Sequence, residues 1–185
     1  MRTKGLTYAD LERMFPEEDL VRRELIDGEL FLTPSPGFRH QRAVSELHAR
    51  LHAYAGERGG QALTGPFDVL FDDSNVLEPD VLYLSSDTLA RVEERYLPVP
   101  PDLAVEVSSP STRRRDRVVK REVYERHGVP EYWFVDLDAD RVEIHRLEEG
   151  RYAPPEVRAR GERIDSTALA GLSIPVDGVL GAPAA

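Results

Sequence analysis

Two carboxylates and one lysine carry the strongest chemical signal in the sequence. Asp80 follows Pro79 and opens the run Val81-Leu82-Tyr83-Leu84, while Glu106 lies inside Leu103-Ala104-Val105-Glu106-Val107. A charge within an apolar, strand-forming run is costly unless it is paired or binds a metal. In strand alternation Leu103, Val105 and Val107 face one way and Ala104, Glu106 and Ser108 the other, so small neighbours leave room around Glu106. On the helix that follows, Lys120 shares an arc with Val119, Val123 and Tyr124 at the edge of the packed face, and Arg114, Arg115, Arg121, Glu122 and Glu125 lie largely opposite. The chain has two lysines, Lys4 and Lys120, against 22 arginines. A compact, titratable ammonium fills roles that a guanidinium fork cannot. Two strand acids and an inward lysine are the ingredients of a Mg²⁺ site for phosphodiester hydrolysis. The plainer alternatives are a solvated edge-strand glutamate and a lysine stem that snorkels with its head in water.

Glu24, ahead of the Asp27-Gly28 turn, is a candidate third acid, although acids on strand faces are commonly solvated. His40 falls in the first turn of a long helix near the arc of Val44, Leu47 and Leu51, where a structural histidine is the commoner outcome. His48 and His52 are spaced i, i+4, but the segment lacks the glutamate of HExxH and a third ligand, which argues against a zinc protease. There is no glycine-rich phosphate loop and no GxSxG elbow.

A net charge of −10 argues against a broadly basic surface. The exception is Arg113 to Arg121, with six basic residues and one acid. It is either a solvated helix face or a local contact for phosphates.

The elements that must position these groups are legible in outline. Thr7 and Asp10 suggest a capping box for a helix over Tyr8–Phe15, which Pro16 ends. Arg23–Ile26 and Glu29–Leu32 flank Asp27-Gly28 as a hairpin. Helical periodicity runs from Phe38 to Arg58, a strand covers 66–71, and a further helix is expected over Ser86–Arg95. After the basic helix come strands at 132–135 and 142–147. The segment 150–185 reads as a β addition with a frayed end, appended to a core of about 20–147 in a single domain over 1–185. Without cysteines, a leader or a long apolar run, the composition fits a cytoplasmic protein with no membrane segment.

In order, ELIDGEL, PSPGFRHQ, the PDVLYL run, PDLAVEVSSPST and DRVVKREVYERHGVPEYWFVD resemble the Uma-two family of restriction-endonuclease-like proteins, within the PD-(D/E)xK nuclease superfamily. The resemblance spans roughly Thr7 to Leu147. It implies an α/β fold, with a restriction-endonuclease-like core of a central mixed sheet flanked by helices and extra hairpins, and it implies a homodimer. Asp80 matches the aspartate of PD and Glu106 the D/E position, while Ser108 stands where the strand lysine is usual and Lys120 occupies its place on the next helix. The implied site has Asp80, Glu106 and Lys120 as catalytic residues. Asp80, Glu106, the Val107 carbonyl and, as an outer contact, Glu24 would hold Mg²⁺ or Mn²⁺, with His40 in support. Arg113, Arg114, Arg115 and Arg117 are candidate contacts to DNA phosphates. The expected activity is metal-dependent endonucleolytic cleavage of DNA. The alternative is a non-catalytic nucleic-acid-binding or protein-interaction domain on the same fold.

Overall fold

The computed structural model describes residues 5–16 and 21–182; Lys4, the expected start of the core at residue 20 and the frayed end at 183–185 lie outside the described residues. The elements run α1 (Tyr8–Met14), β1 (Arg22–Ile26), β2 (Glu29–Thr33), α2 (Phe38–Gly56), β3 (Gln61–Thr64), β4 (Asp68–Asp72), β5 (Asn75–Leu77), β6 (Val81–Leu84), α3 (Ser86–Leu89), β7 (Tyr96–Leu97) and β8 (Leu103–Val107). A π-helical turn over Arg115–Lys120 leads directly into α4 (Arg121–Arg126). There follow β9 (Glu131–Asp136), β10 (Arg141–Glu148), β11 (Arg151–Tyr152), β12 (Glu156–Ala159), β13 (Arg163–Asp165), β14 (Ser173–Pro175) and α5 (Val176–Leu180).

The main sheet has the order β11-β10-β9-β8-β6-β3, with β12 also paired to β10; a second sheet has the order β2-β1-β5-β4-β7, and β13 pairs with β14. Asp27 and Gly28 both take positive φ, 49° and 79°, in the tight turn between β1 and β2, the geometry that favours Gly in two-residue hairpin loops.

β8 is the centre of the main sheet and is buried along its whole length. It pairs antiparallel with β6 and parallel with β9. Parallel neighbours need a crossover, and the π turn with α4 supplies it across one face. That connection carries Lys120 over the strand that holds Glu106. On this face Val123 and Tyr124 pack with Ala104, Tyr132 and Phe134. On the other, Ala43, Val44, Leu47 and Leu51 of α2 pack with Val105, Val107, Trp133 and Val135.

The Thr7–Asp10 capping box is present in full. Two short strands, β3 and β5, had no clear sequence signal. The helix expected over Ser86–Arg95 stops at Leu89: the Glu93 N–H donates to the Tyr96 carbonyl and turns the chain toward β7. Leu89 and Val92 still face the core, as partly buried neighbours of Val69, Leu82 and Leu97. The segment after Gly150 is an integral part of the packing. Glu131 Oε2 accepts hydrogen bonds from the Thr167 N–H, the Thr167 hydroxyl and the Ala168 N–H. Val176, Val179 and Leu180 of α5 join the α2 core. No helix of the described residues is long and apolar enough to cross a membrane.

Candidate active site

Asp80 sits immediately before β6 and is held from three directions. The Val107 N–H on β8 donates to its Oδ2 (2.8 Å), and His40 Nε2 on α2 donates to the same oxygen (3.1 Å). The Arg22 guanidinium on β1 donates to Oδ1 (2.5 Å) and also reaches the Glu78 carbonyl. Burial alone would raise the Asp80 pKa; the His40 hydrogen bond and the Arg22 charge outweigh it and hold the carboxyl well below the usual range.

Glu106 projects from β8 toward the crossover. Its Oε1 accepts hydrogen bonds from Lys120 Nζ (3.0 Å) and from the Tyr124 hydroxyl (2.5 Å). The same ammonium lies 2.6 Å from Glu24 Oε1 and 3.6 Å from Asp116 Oδ1. Lys120 is only 1% exposed, so it is a core residue and not at the edge of the packed face. Burial would lower its pKa, but Glu106, Glu24 and Asp116 reverse that effect and keep it charged. For Glu106 the balance is opposite: burial pushes it up to about 8 despite the pull of Lys120. Two carboxyls in one pocket are thus pushed apart in acidity, an arrangement common at sites of chemistry.

Asp80, Glu106 and Lys120 line a single cavity of about 160 Å³ together with His40, Arg22 and Arg115. The Thr33–Gly37 and Ser109–Thr112 segments complete its lining. Other candidates fall elsewhere. Glu24 is behind Lys120 and does not line the cavity; it accepts from Lys120 and from the Glu78 N–H (3.0 Å). In this arrangement Glu24 anchors the ammonium. Val107 engages Asp80 through its N–H.

The arginines do not form one row. Arg113 pairs with Asp136 (2.6 Å), and Arg117 forks onto Glu143 on β10 (3.0 and 2.8 Å). Arg115 turns inward, donates to Thr33 Oγ1 (2.8 Å) and lies over the Phe31 ring. Arg114 is exposed, with no ion pair among the described residues. The inward turn of Arg115 follows from the π turn, whose wider i→i+5 spacing breaks the 100° phase that places it outward.

Arg22, Asp116 and Tyr124 were not assigned to the site from sequence, yet each had a signal. Arg22 is two residues before Glu24 on one strand face, Asp116 is i, i+4 with Lys120, and Tyr124 is one turn beyond it.

Glu78 makes the cluster pH-sensitive. Burial raises its pKa to about 7, against the Arg23 N–H bond that lowers it. A raised carboxyl contributes stability that is fully present below its unfolded pKa and is lost as pH rises through the folded value. Between pH 4.5 and 7 the parent is therefore expected to lose up to about 3 kcal/mol through this group, a slope that Glu78→Gln removes. Urea unfolding across that range checks it; equal slopes in parent and variant would refute the assignment.

A family model described as "Uma2: Putative restriction endonuclease" matches residues 7–177. The chain belongs to the Uma2 family. The match runs beyond Leu147 into the tail, consistent with the packing of α5 on α2. Among solved structures, the chain is similar to a protein from Anabaena variabilis ATCC 29413 described as "a putative nuclease belonging to DUF820", with 19% identity and a TM-score of 0.78, covering 95% of this chain and 97% of that one. The two share the fold: mixed sheets flanked by helices, as expected from sequence. No curated protein matches the chain.

Proposed function

We propose that this Uma2 protein is a Mg²⁺-dependent endonuclease that hydrolyses phosphodiester bonds of DNA. The observation that carries the reading is the convergence of Asp80, Glu106 and the buried Lys120 on one small cavity. The donor set fits a hard divalent ion. Asp80 is held anionic, and Glu106 Oε2 accepts no hydrogen bond from a described residue. Among the described residues no group of three or more His, Cys, Asp or Glu side chains is arranged to hold a metal ion, so the two acids would act with water and substrate phosphate as the remaining ligands. Asp80 and Glu106 would hold Mg²⁺ or Mn²⁺, which when bound supplies Lewis acidity toward a phosphate oxygen and a lowered water pKa.

The chain's own groups do the rest. The Val107 N–H and His40 fix the Asp80 carboxylate, while Glu24 and Asp116 hold the Lys120 ammonium beside Glu106. There Lys120 stabilises charge that develops on the phosphate or orients the attacking water. Arg115 on the cavity wall and the exposed Arg114 would meet phosphates; Arg113 and Arg117 would first have to leave Asp136 and Glu143.

The test is cleavage of labelled DNA with Mg²⁺ or Mn²⁺, with an Asp80→Ala control. Cleavage that survives Asp80→Ala, or none by the parent, would remove the assignment. A second reading, a non-catalytic nucleic-acid-binding domain, is favoured by one observation: Arg22 and Lys120 already occupy one oxygen of each acid. Nucleic-acid binding without cleavage by any form would support it.

The functional unit in this proposal is a two-fold homodimer, because one acidic chain offers a small cationic footprint. Sedimentation at micromolar concentration is expected to return the mass of two chains; monomer alone would contradict it.

A further inference from the structure

Nucleic acid can approach a buried acid pair as a duplex or as a free strand, and the shape of the approach separates the two. Asp80 is 5% exposed and Glu106 1%, recessed below two loops. A duplex is stiff over the length of such a site, so a flexible free strand enters the recess more readily. A duplex also needs a basic surface to rest on, whereas Arg113 and Arg117 are committed to Asp136 and Glu143.

A second cavity of about 730 Å³ shares Arg22, His40 and Asp80 with the first. It runs along α2 past Gln41, Ser45 and His48 toward Thr64. Its volume lies within the range of pockets that enclose a single compact ligand. Of the four lining groups named here outside the acid site, Gln41, Ser45 and Thr64 offer uncharged donors and acceptors, and Arg22 lies as a guanidinium at the inner end. Phe38, 82% exposed and two residues before His40, presents an uncovered aromatic ring on the first turn of the same helix. A cation near the reacting group and an exposed aromatic ring on which a base can stack are features by which proteins hold unpaired strands.

We propose that the groove between α2 and the Thr33–Gly37 loop seats an unpaired strand, so that the substrate class is single-stranded nucleic acid. The proposal rests on the hydrolytic reading of Asp80 and Glu106 and adds the form of the substrate. Unpaired DNA and unpaired RNA share the recognised chemistry, a flexible phosphodiester backbone with open base faces.

Fluorescence polarisation with labelled 15-nucleotide DNA and RNA strands and a hairpin duplex, in Ca²⁺ to hold off cleavage, tests it. At least one free strand is expected to bind ten-fold or more tightly than the duplex, and the two strand arms identify the sugar. Ser45→Trp, on an exposed helix position, fills the groove and is expected to weaken strand binding at least ten-fold with an unchanged melting temperature. Equal or tighter duplex binding overturns the proposal, as does unchanged strand affinity in Ser45→Trp. Duplex cleavage in Mg²⁺ with free strands left intact also overturns it while keeping the nuclease reading. Absence of binding and cleavage for every form removes both.

Discussion

Lys120→Ala is expected to destabilise the folded chain by about 3–5 kcal/mol at pH 7, the usual cost of leaving a buried charge without its partner. Glu24, Glu106 and Asp116 all lie within 4 Å of the ammonium, and none has more than 3% of its side chain exposed. The Lys120 pKa is raised in the fold, so its contribution is fully present below the unfolded lysine value and is lost only as pH rises through the folded one. At pH 7 the whole effect should be visible by urea unfolding; a cost below about 1 kcal/mol would show that the acids find other partners. Lys120→Arg should recover little, since a planar fork cannot take the place of a point charge among three acids. Activity of either variant has to be measured below its melting temperature, where loss of cleavage with retained fold and strand affinity separates the chemical role from the structural one.

Asp80→Ala is expected to lower cleavage by about 10³-fold or more, equivalent to about 4 kcal/mol of barrier. The variant removes the anionic metal ligand and also frees Arg22, His40 and the Val107 N–H from their shared acceptor. Asp80→Asn keeps much of the shape and removes the charge, so it distinguishes the two losses. Calorimetric titration with Mn²⁺ should show binding by the parent and none by either variant. Equal Mn²⁺ affinity in all three would move the metal away from Asp80.

The strand acids were legible because a charge in an apolar β run is rare and expensive. Alternation put Glu106 on the face away from Val105 and Val107, and it meets Lys120 and Tyr124 there. Lys120 was legible by type and arc, but not by depth, because its burial depends on Glu24 from a hairpin far away in sequence. Arg22 has no such signal because an arginine on a strand normally reaches solvent; only the pairing of β5 with β1, three residues ahead of Asp80, gives it that carboxylate to bind. The tail was opaque for the same reason. Its short strands and α5 have little periodicity of their own and take their positions from Glu131 and the α2 stripe.

The π turn has a consequence for how relatives should be aligned. It holds one more residue than an α-helical path over the same rise would need. Deleting Val118, whose side chain is exposed, would let the segment close with ordinary i→i+4 bonds while Lys120 and α4 keep their places. Asp116 would then stand three residues before the lysine and Arg115 four, and both spacings share a face on an α-helix, so the Asp116 pair survives the deletion. In a family member one residue shorter here, an acid three residues before the lysine is therefore the counterpart of Asp116. Gap placement within 115–119 thus decides which acid is read as the partner of the lysine, and it can be examined sequence by sequence without any assay.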